Sequence, residues 1–223
     1  MSRCAFLLPA LTVVHRLGSG TPLALIDVGC SAGLHLLWDR YHYDYGVAQV
    51  GDPRAPVRIS CELRGTIVPP LPERFPECGF RIGIDLNPVD LTDPVERRWF
   101  EALIWPEHAG RRTSAARAID ELLRHPPTII KGDAVQVLDA QLRRIPSDMS
   151  LVVYNSAALC QGGAADEHGI AQILGAWSSS RAIYWLHCEG EEVLLRNVEK
   201  GRISETKLAN KDGHGRWIQW LHS

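Results

Sequence analysis

Three aspartates, each at the end of a predicted strand, are candidates for binding a ligand. Asp27 closes the strand that leads into turn 29–33, and Asp85 and Asp133 close two later strands. Ligands of open parallel sheets bind outside the carboxyl ends of the strands, so these carboxylates should face a ligand. A carboxylate accepts hydrogen bonds from an ammonium group, from ribose hydroxyls and from an adenine amino group. We assign these three partners to Asp27, Asp85 and Asp133 respectively.

Turn 29–33 is predicted to hold the ligand between the first strand and the helix after it. Gly29 and Gly33 permit positive φ angles and the close approach of a ligand to the backbone. The N–H groups at the beginning of the helix offer further donors. The turn lacks the full G-x-G-x-x-G spacing of dinucleotide sites. Together with the later acids it predicts S-adenosylmethionine as the cofactor, with Asp27, Gly29, Ser31 and Gly33 around its amino-acid end.

The same turn also matches G-x-S-x-G, the nucleophile elbow of serine hydrolases, with Ser31 as the nucleophile. The other members of such a triad would come from Asp133, Asp148, His187 and His214. The elbow normally follows several strands, whereas only the predicted strand 23–28 precedes Ser31, so the hydrolase is the alternative hypothesis. A module that binds the nucleotide without catalysis is a further alternative, because binding and transfer use the same turn.

An alternation of strands and helices predicts the scaffold that brings these residues together. We expect an α/β fold, a Rossmann-like three-layer α/β/α sandwich whose mostly parallel sheet carries an antiparallel C-terminal hairpin and a β-rich insertion at 43–78. The predicted strands are 23–28, 80–85, 128–133, 150–155, 181–187 and 217–221, with a hairpin over 193–208. The predicted helices are 34–42, 95–104, 106–124, 135–144 and 167–177, after one near the N terminus.

Length and composition indicate a single domain over residues 1–223. Apolar residues make up 45% of the chain, and the formal net charge is −2. Without a basic surplus we expect no nucleic-acid partner, and without a long apolar run we expect no membrane span. The six cysteines form no C-x-x-C pair, so we expect no metal site. Scattered thiols are typical of reducing compartments, which predicts a cytoplasmic location.

Three stretches and one single residue resemble the motifs of class I methyltransferases, which use S-adenosylmethionine. Residues 27–33 resemble the first motif, and residues 84–88 resemble the second. Residues 132–134 resemble the motif that contacts adenine, which implies a cofactor contact for Ala134. Asn155 occupies the place where this superfamily often has a polar residue near the methyl-transfer centre, which implies a catalytic role.

Longer stretches resemble an uncharacterised bacterial family known as domain of unknown function 2332. They are residues 34–41, 97–108 and 215–221. Because they extend from near the beginning of the chain to its end, this resemblance implies the fold more than the reaction. Members of that family tend to carry a longer helical segment before the first strand, so we expect part of a substrate lid to be absent here.

A small-molecule acceptor is expected beside Asn155 and the sulfonium of the cofactor. Aromatic faces suit a sulfonium or a flat acceptor, and the imidazole of His108 or His187 is suited to take the acceptor's proton. The side chains expected around this mouth are Tyr41, Tyr43, Trp105, Glu107, His108, His187 and Glu189. The predicted catalytic set is therefore Asn155, His108 and His187.

Overall fold

A mixed β-sheet forms the centre of the protein, and the candidate site lies at the carboxyl ends of its parallel strands. The computed structural model describes residues 1–103, 109–162 and 164–222. The strands are β1 Leu23–Val28, β2 His42–Asp44, β3 Gln49–Val50, β4 Arg58–Ser60, β5 Glu62–Leu63, β6 Cys78–Asp85, β7 Thr128–Lys131, β8 Ser150–Asn155, β9 Ile183–His187, β10 Glu192–Glu199, β11 Arg202–Lys211 and β12 Trp217–Trp220. The helices are α1 Cys4–Leu17, a 3-10 helix Leu34–Arg40, α2 Pro94–Ala102, α3 Ala109–Arg124, α4 Ala134–Leu142, α5 Leu159–Gly162 and α6 Ala164–Trp177.

The order of the strands creates a crevice beside β1. Within the described residues the main sheet has nine strands in the order β5-β12-β11-β10-β9-β8-β1-β6-β7. Strands β7, β6, β1, β8 and β9 are parallel, and β10, β11 and β12 continue the sheet in antiparallel fashion. The mixed α/β class, the mostly parallel sheet and the C-terminal hairpin are thus confirmed. The chain order reverses between β1 and β8, where open sheets bind their ligands at the carboxyl ends of the strands.

Strand β1 is fully buried because both faces of the sheet are covered. Leu23 and Leu25 lie in one apolar core, and Ala24, Ile26 and Val28 lie in another. The first core contains buried side chains of α1 and α3, and the second contains those of α4 and α6. A continuous apolar run is typical of a parallel strand that is covered on both faces. For this reason the sequence predicted the bounds of β1 and β8 correctly.

Helix α1 covers part of the first core. Phe6, Leu7, Leu8 and Leu11 have no exposed surface there, and the Thr12 hydroxyl donates a hydrogen bond to the carbonyl of the preceding turn at 2.9 Å. Its apolar side chains are therefore used for packing against the sheet. None of the helices in the described part of the chain combines the length and apolar content that crossing a bilayer requires.

The segment after β1 differs from the predicted helix 34–42. It is a 3-10 helix, Leu34–Arg40, with a kink at Leu37. The Arg81 side chain on β6 donates to the Leu36 carbonyl at 2.8 Å and forms a two-pronged ion pair with Asp39 at 2.8 and 2.9 Å. A carbonyl that is bound by an arginine is less available to a helical N–H, and 3-10 helices are rarely long. A helix is therefore present where the sequence predicted one, but it is of the 3-10 type and ends at Arg40 rather than near residue 42.

The insertion forms a second sheet with the order β3-β2-β4, while β5 joins the edge of the main sheet by pairing with β12. Tyr41, Tyr43 and Tyr45 lie in the first apolar core. Their hydroxyls donate to backbone carbonyl oxygens at 2.6 to 2.7 Å. The prediction that Tyr41 and Tyr43 line a substrate mouth is therefore wrong, because both rings fill the core and both hydroxyls are already paired.

A buried lysine lies at the end of β11. Lys211 is 2% exposed, and its ammonium group donates to the Gly190 carbonyl at 2.6 Å and lies 4.8 Å from the centre of the Phe6 ring. Burial lowers the pKa of Lys211, although the neighbouring Cys188, Glu189 and Asp212 oppose this shift. The folded state therefore holds this proton less tightly than the unfolded chain does.

Replacing Lys211 by methionine tests this linkage. The penalty for burying the charge is present at neutral pH and fades as the pH rises toward the ordinary lysine pKa of about 10.4. We therefore expect the free energy of unfolding of the wild type to rise relative to that of Lys211→Met between neutral pH and about pH 10. Urea unfolding of both proteins measures the difference, and a difference that is constant with pH would contradict the prediction.

Candidate functional site

A cleft of about 710 Å³ opens at the carboxyl ends of β1, β6, β7 and β8. The structure brings together in its walls Gly29, Ser31, Asp85, Asp133 and Ala134, all of which the sequence predicted to bind the cofactor. Further residues of the wall are Arg3, Leu86, Asn87, Leu103, Ser156, Ala157, Ala158 and Asp166. The cleft thus occupies the position that is expected for a ligand of an open parallel sheet.

Turn 29–33 is tied to the neighbouring strand β6. Gly29, Ser31 and Gly33 have positive φ angles of 76°, 53° and 82°. The Gly29 N–H donates to the Ile84 carbonyl at 2.8 Å, and the Ser31 N–H donates to Asp85 Oδ2 at 2.7 Å. A serine in the left-handed region is strained, and the hydrogen bond that its N–H donates to Asp85 holds it there.

The two glycines are needed for packing within the protein. A Cβ on Gly29 would lie 2.1 Å from the Cβ of Ala158, and one on Gly33 would lie 2.9 Å from Pro127. The sequence predicted that both glycines adopt positive φ and let a ligand approach the backbone, and Gly29 does line the cleft. The missing side chains also make room for the loop after β8 and for the loop before β7. The predicted ligand contacts of the two glycines stay predictions.

Asp85 and Asp133 both face the cleft and both bind backbone N–H groups. Asp85 accepts from Ser31 and Asn87 at 2.7 and 2.9 Å. Asp133 is the N-cap of α4 and accepts from the Val135 N–H at 2.9 Å. Each carboxylate oxygen has two lone pairs, so both side chains retain the capacity to accept hydrogen bonds from a ligand.

Asp27 lies behind the cleft and is 1% exposed. Its Oδ2 atom is buried without a hydrogen-bond partner among the described residues and lies 3.7 Å from Nδ1 of His35. The Tyr154 hydroxyl and the Ser156 Oγ are buried without a partner in the same way. An unpartnered buried carboxylate is costly, which makes this group of polar atoms a functional candidate.

Asn155 forms a buried hydrogen-bond centre below the cleft. It has no exposed surface, its Oδ1 accepts from Trp185 Nε1 at 2.7 Å, and its Nδ2 donates to Glu189 Oε1 at 2.7 Å. His187 stacks edge-on against Trp185 at 5.6 Å, and its Nδ1 lies 3.4 Å from Asn155 Nδ2. Neither Asn155 nor His187 is among the described residues that line the cleft. Their predicted catalytic roles stay predictions.

Glu189 connects this centre to the loop after β8. Its carboxylate accepts from the backbone N–H groups of Ala158, Leu159 and Cys160 at 3.2 to 3.4 Å. Burial alone would raise the pKa of Glu189, but the hydrogen bonds from Asn155 and from the loop outweigh it and lower the pKa. In His187, burial and the nearby Arg196 lower the pKa, which favours a neutral imidazole.

A second cavity of about 320 Å³ adjoins the cleft. The two share Arg3, Ser31 and Leu103. The smaller one is lined mainly by apolar side chains and also by two histidines, and its residues include Leu34, His35, Phe100, Leu103, Ala115 and His214. Neither His35 nor Arg3 was predicted from the sequence to belong to the site. His35 follows Gly33 closely enough to have been considered, whereas only tertiary folding brings Arg3 to the site.

The predicted residues Trp105, Glu107 and His108 lie outside the described residues. Of the hydrolase candidates, Asp148 precedes β8 and so lies at the opposite end of the sheet from Ser31, about 16 Å away along a strand of this length. This placement removes Asp148 from a triad with Ser31, whereas His214 and Ser31 line the same cavity.

Residues 1–220 match a family described as an uncharacterized protein conserved in bacteria (DUF2332). The chain belongs to this family. The match confirms the resemblance that was based on residues 34–41, 97–108 and 215–221, and it includes the cleft, the second cavity and the insertion. No curated protein and no solved structure matches the chain.

Replacing Gly29 by alanine tests how the turn is packed. The positive φ costs about 1–2 kcal/mol for a residue with a Cβ, and the contact with Ala158 adds to this. We expect Gly29→Ala to lower the free energy of unfolding by at least about 2 kcal/mol. Gly175→Ala in α6 is the matched control, because nothing lies within 4 Å of the added Cβ, and helix propensity should make it neutral or slightly stabilising. Equal stabilities of the two variants would contradict the prediction.

Replacing Asn155 by alanine tests the buried centre. The change leaves Trp185 Nε1 and one bond of Glu189 unsatisfied, so we expect a loss of about 2–4 kcal/mol in the free energy of unfolding and faster amide exchange in the loop after β8. The control is Asn210→Ala, which removes one partly buried hydrogen bond to Gln219 and should cost about 1 kcal/mol. Denaturant unfolding and hydrogen exchange measure both effects. Unchanged amide exchange in the loop after β8 would contradict the inference that Asn155 holds this loop in place through Glu189.

Proposed function

We propose that this protein binds S-adenosylmethionine in the cleft and transfers its methyl group to a small-molecule acceptor, on a scaffold of the Rossmann-like three-layer kind. The order of the parallel strands, β7-β6-β1-β8-β9, supports the scaffold, since it is the 3-2-1-4-5 order of nucleotide-binding sheets. The proposal for the cofactor depends on the charges that line the cleft.

The acidic character of the cleft is the observation that carries the proposal. Asp85, Asp133 and Asp166 line it, and Arg3 is the one cationic side chain among its described wall residues. The Arg3 guanidinium donates to the carbonyls of Ser156 and Gly213 at 2.8 and 3.2 Å. Such a cleft repels a pyrophosphate and favours a nucleoside with a cationic substituent. S-adenosylmethionine is such a ligand, because its sulfonium and ammonium groups outweigh its carboxylate.

The residues of the cleft fit the parts of this cofactor. Turn 29–33 would lie at the amino-acid end, Asp85 would accept hydrogen bonds from the ribose hydroxyls, and Asp133 with Ala134 would face the adenine. When bound, the cofactor supplies an electrophilic methyl group. The protein's own contribution is proximity and orientation, since the cleft adjoins the second cavity at Ser31 and Leu103.

Isothermal titration calorimetry with S-adenosylmethionine and with S-adenosylhomocysteine tests the cofactor. We expect saturable binding of both and no binding of NAD or ATP at the same concentration, because their phosphates meet three carboxylates. A folded protein that gives no heat with millimolar S-adenosylmethionine, or that prefers NAD, would overturn the proposal.

Asp133→Asn provides the matched variant. Asparagine is also a good N-cap, so α4 should be retained, but the side chain loses its negative charge and gains donors. We expect the affinity for S-adenosylmethionine to fall about tenfold, since a hydrogen bond to a charged group contributes about 1.5–3 kcal/mol. Asp148→Asn, at the opposite end of the sheet, is the control and should bind as the wild type does. Equal affinities of both variants would remove Asp133 from the site.

A further inference from the structure

The second cavity is lined by the imidazole of His35, and the buried carboxylate of Asp27 lies behind that ring. Asp27 is 1% exposed and the His35 side chain 15% exposed, and Asp27 Oδ2 lies 3.7 Å from His35 Nδ1. The ring of His35 also packs edge-on against Tyr154 at 5.9 Å. Because Asp27 approaches Nδ1, the Nε2 edge of the ring is the one left for the cavity that His35 lines.

This arrangement is that of a base and its orienting acid. In such pairs a carboxylate fixes the imidazole through Nδ1 and balances the positive charge that forms when Nε2 takes a proton. Hydrogen bonds of this type often tighten only when a substrate binds, so the 3.7 Å separation is compatible with the role. The orphaned Oδ2 of Asp27 is explained at the same time, since its charge has a partner once the imidazole is protonated.

We infer that His35, oriented by Asp27, is the proton acceptor for a small aromatic substrate that carries a phenol-like hydroxyl. The proton leaves the hydroxyl and binds His35 Nε2, while the oxygen keeps the electron pair and becomes the nucleophile. The cavity as a whole gains no charge, because a phenolate and an imidazolium form together beside Asp27. The inference rests on the proposed function, because the deprotonated oxygen would attack the methyl group of the proposed cofactor.

The walls of the cavity select the substrate class. Leu34, Phe100 and Ala115 present apolar surface on three elements, and about 320 Å³ suits a ligand of one or two rings. A neutral imidazole can serve as general base toward a weakly acidic hydroxyl such as that of a phenol. Burial lowers the pKa of His35, which keeps the ring neutral and able to accept a proton, while Asp27 opposes that shift.

The charged groups around His35 define the competing explanations. Arg3 and the amino group of Met1 favour a neutral ring, and Asp27 favours a charged one. Arg3 also lines the cavity and would stabilise a phenolate without any proton transfer to His35. His214 lines the same cavity and is a second imidazole. An experiment therefore has to distinguish His35 from Arg3 and from His214.

The probe is para-nitrophenol, whose ionised form absorbs visible light. The full chain is titrated into it without cofactor, at a pH below the solution pKa of the probe. We expect saturable binding, with a rise of about tenfold in the ionisation constant of the bound phenol, which is a fall of one unit in its pKa. His35→Gln, which keeps a polar side chain of similar size, should bind the probe without this rise. Asp27→Asn should reduce the rise, and His125→Ala, at the exposed residue that follows α3, should leave it unchanged.

The outcomes separate cleanly. The inference would be overturned if the probe did not bind. It would also be overturned if the ionisation constant of the bound phenol rose as much in His35→Gln as in the wild type, which would assign the effect to Arg3. A loss of that rise in His214→Ala, with none in His35→Gln, would overturn it as well. If Asp27→Asn does not fold, as judged by its melting temperature, His35→Gln still decides. The titration needs no cofactor, so a failure here is distinguishable from a failure of S-adenosylmethionine to bind. With the cofactor added, conversion of the probe to its methyl ether by the wild type, and slower conversion by His35→Gln, is the supporting second readout.

Discussion

The partly buried hydrogen bond from the Asn155 amide to the Glu189 carboxylate, at 2.7 Å, holds the cleft in shape. Glu189 in turn fixes the loop after β8 through its backbone N–H groups. The methyl group of Ala158 in that loop occupies the space left by the missing side chain of Gly29. On its other side, turn 29–33 is tied to β6, because Asp85 accepts a hydrogen bond from the Ser31 N–H. The loop that forms one wall of the cleft is thus held by Asn155 and Glu189, which do not line it.

The carboxylates that line the cleft differ in their surroundings from the carboxylate of Asp27 behind the second cavity. In the cleft, Asp85 and Asp133 are partly solvated and stabilised by backbone N–H groups. Behind it, Asp27 is almost fully buried, and its neighbour His35 becomes charged only on taking up a proton. The first arrangement suits stable binding of a cation, while the second favours a change of protonation state. The proposed methyl transfer would use the first arrangement for its donor and the second for its acceptor.

Local patterns in the sequence were sufficient for the centre of the sheet and for part of the site. Continuous apolar runs predicted β1 and β8 to the residue, and the polar residues at strand ends predicted Asp85 and Asp133 in one cleft. Features that depend on distant contacts were not predictable. The 3-10 helix depends on the Arg81 side chain of another strand, and the position of Arg3 depends on how the N-terminal helix packs.

The short strand β5 has a consequence for the protein's behaviour at high concentration. An unpaired edge of a sheet is a template for strands of other molecules, and proteins protect such edges with short or charged strands. Here the insertion supplies two residues that cover part of β12, and the opposite edge, β7, has four residues and ends in the exposed Lys131. Loss of the insertion would therefore expose an edge that strands of other molecules could pair with. The insertion thus protects the sheet against aggregation, although the candidate site lies in another part of the sheet.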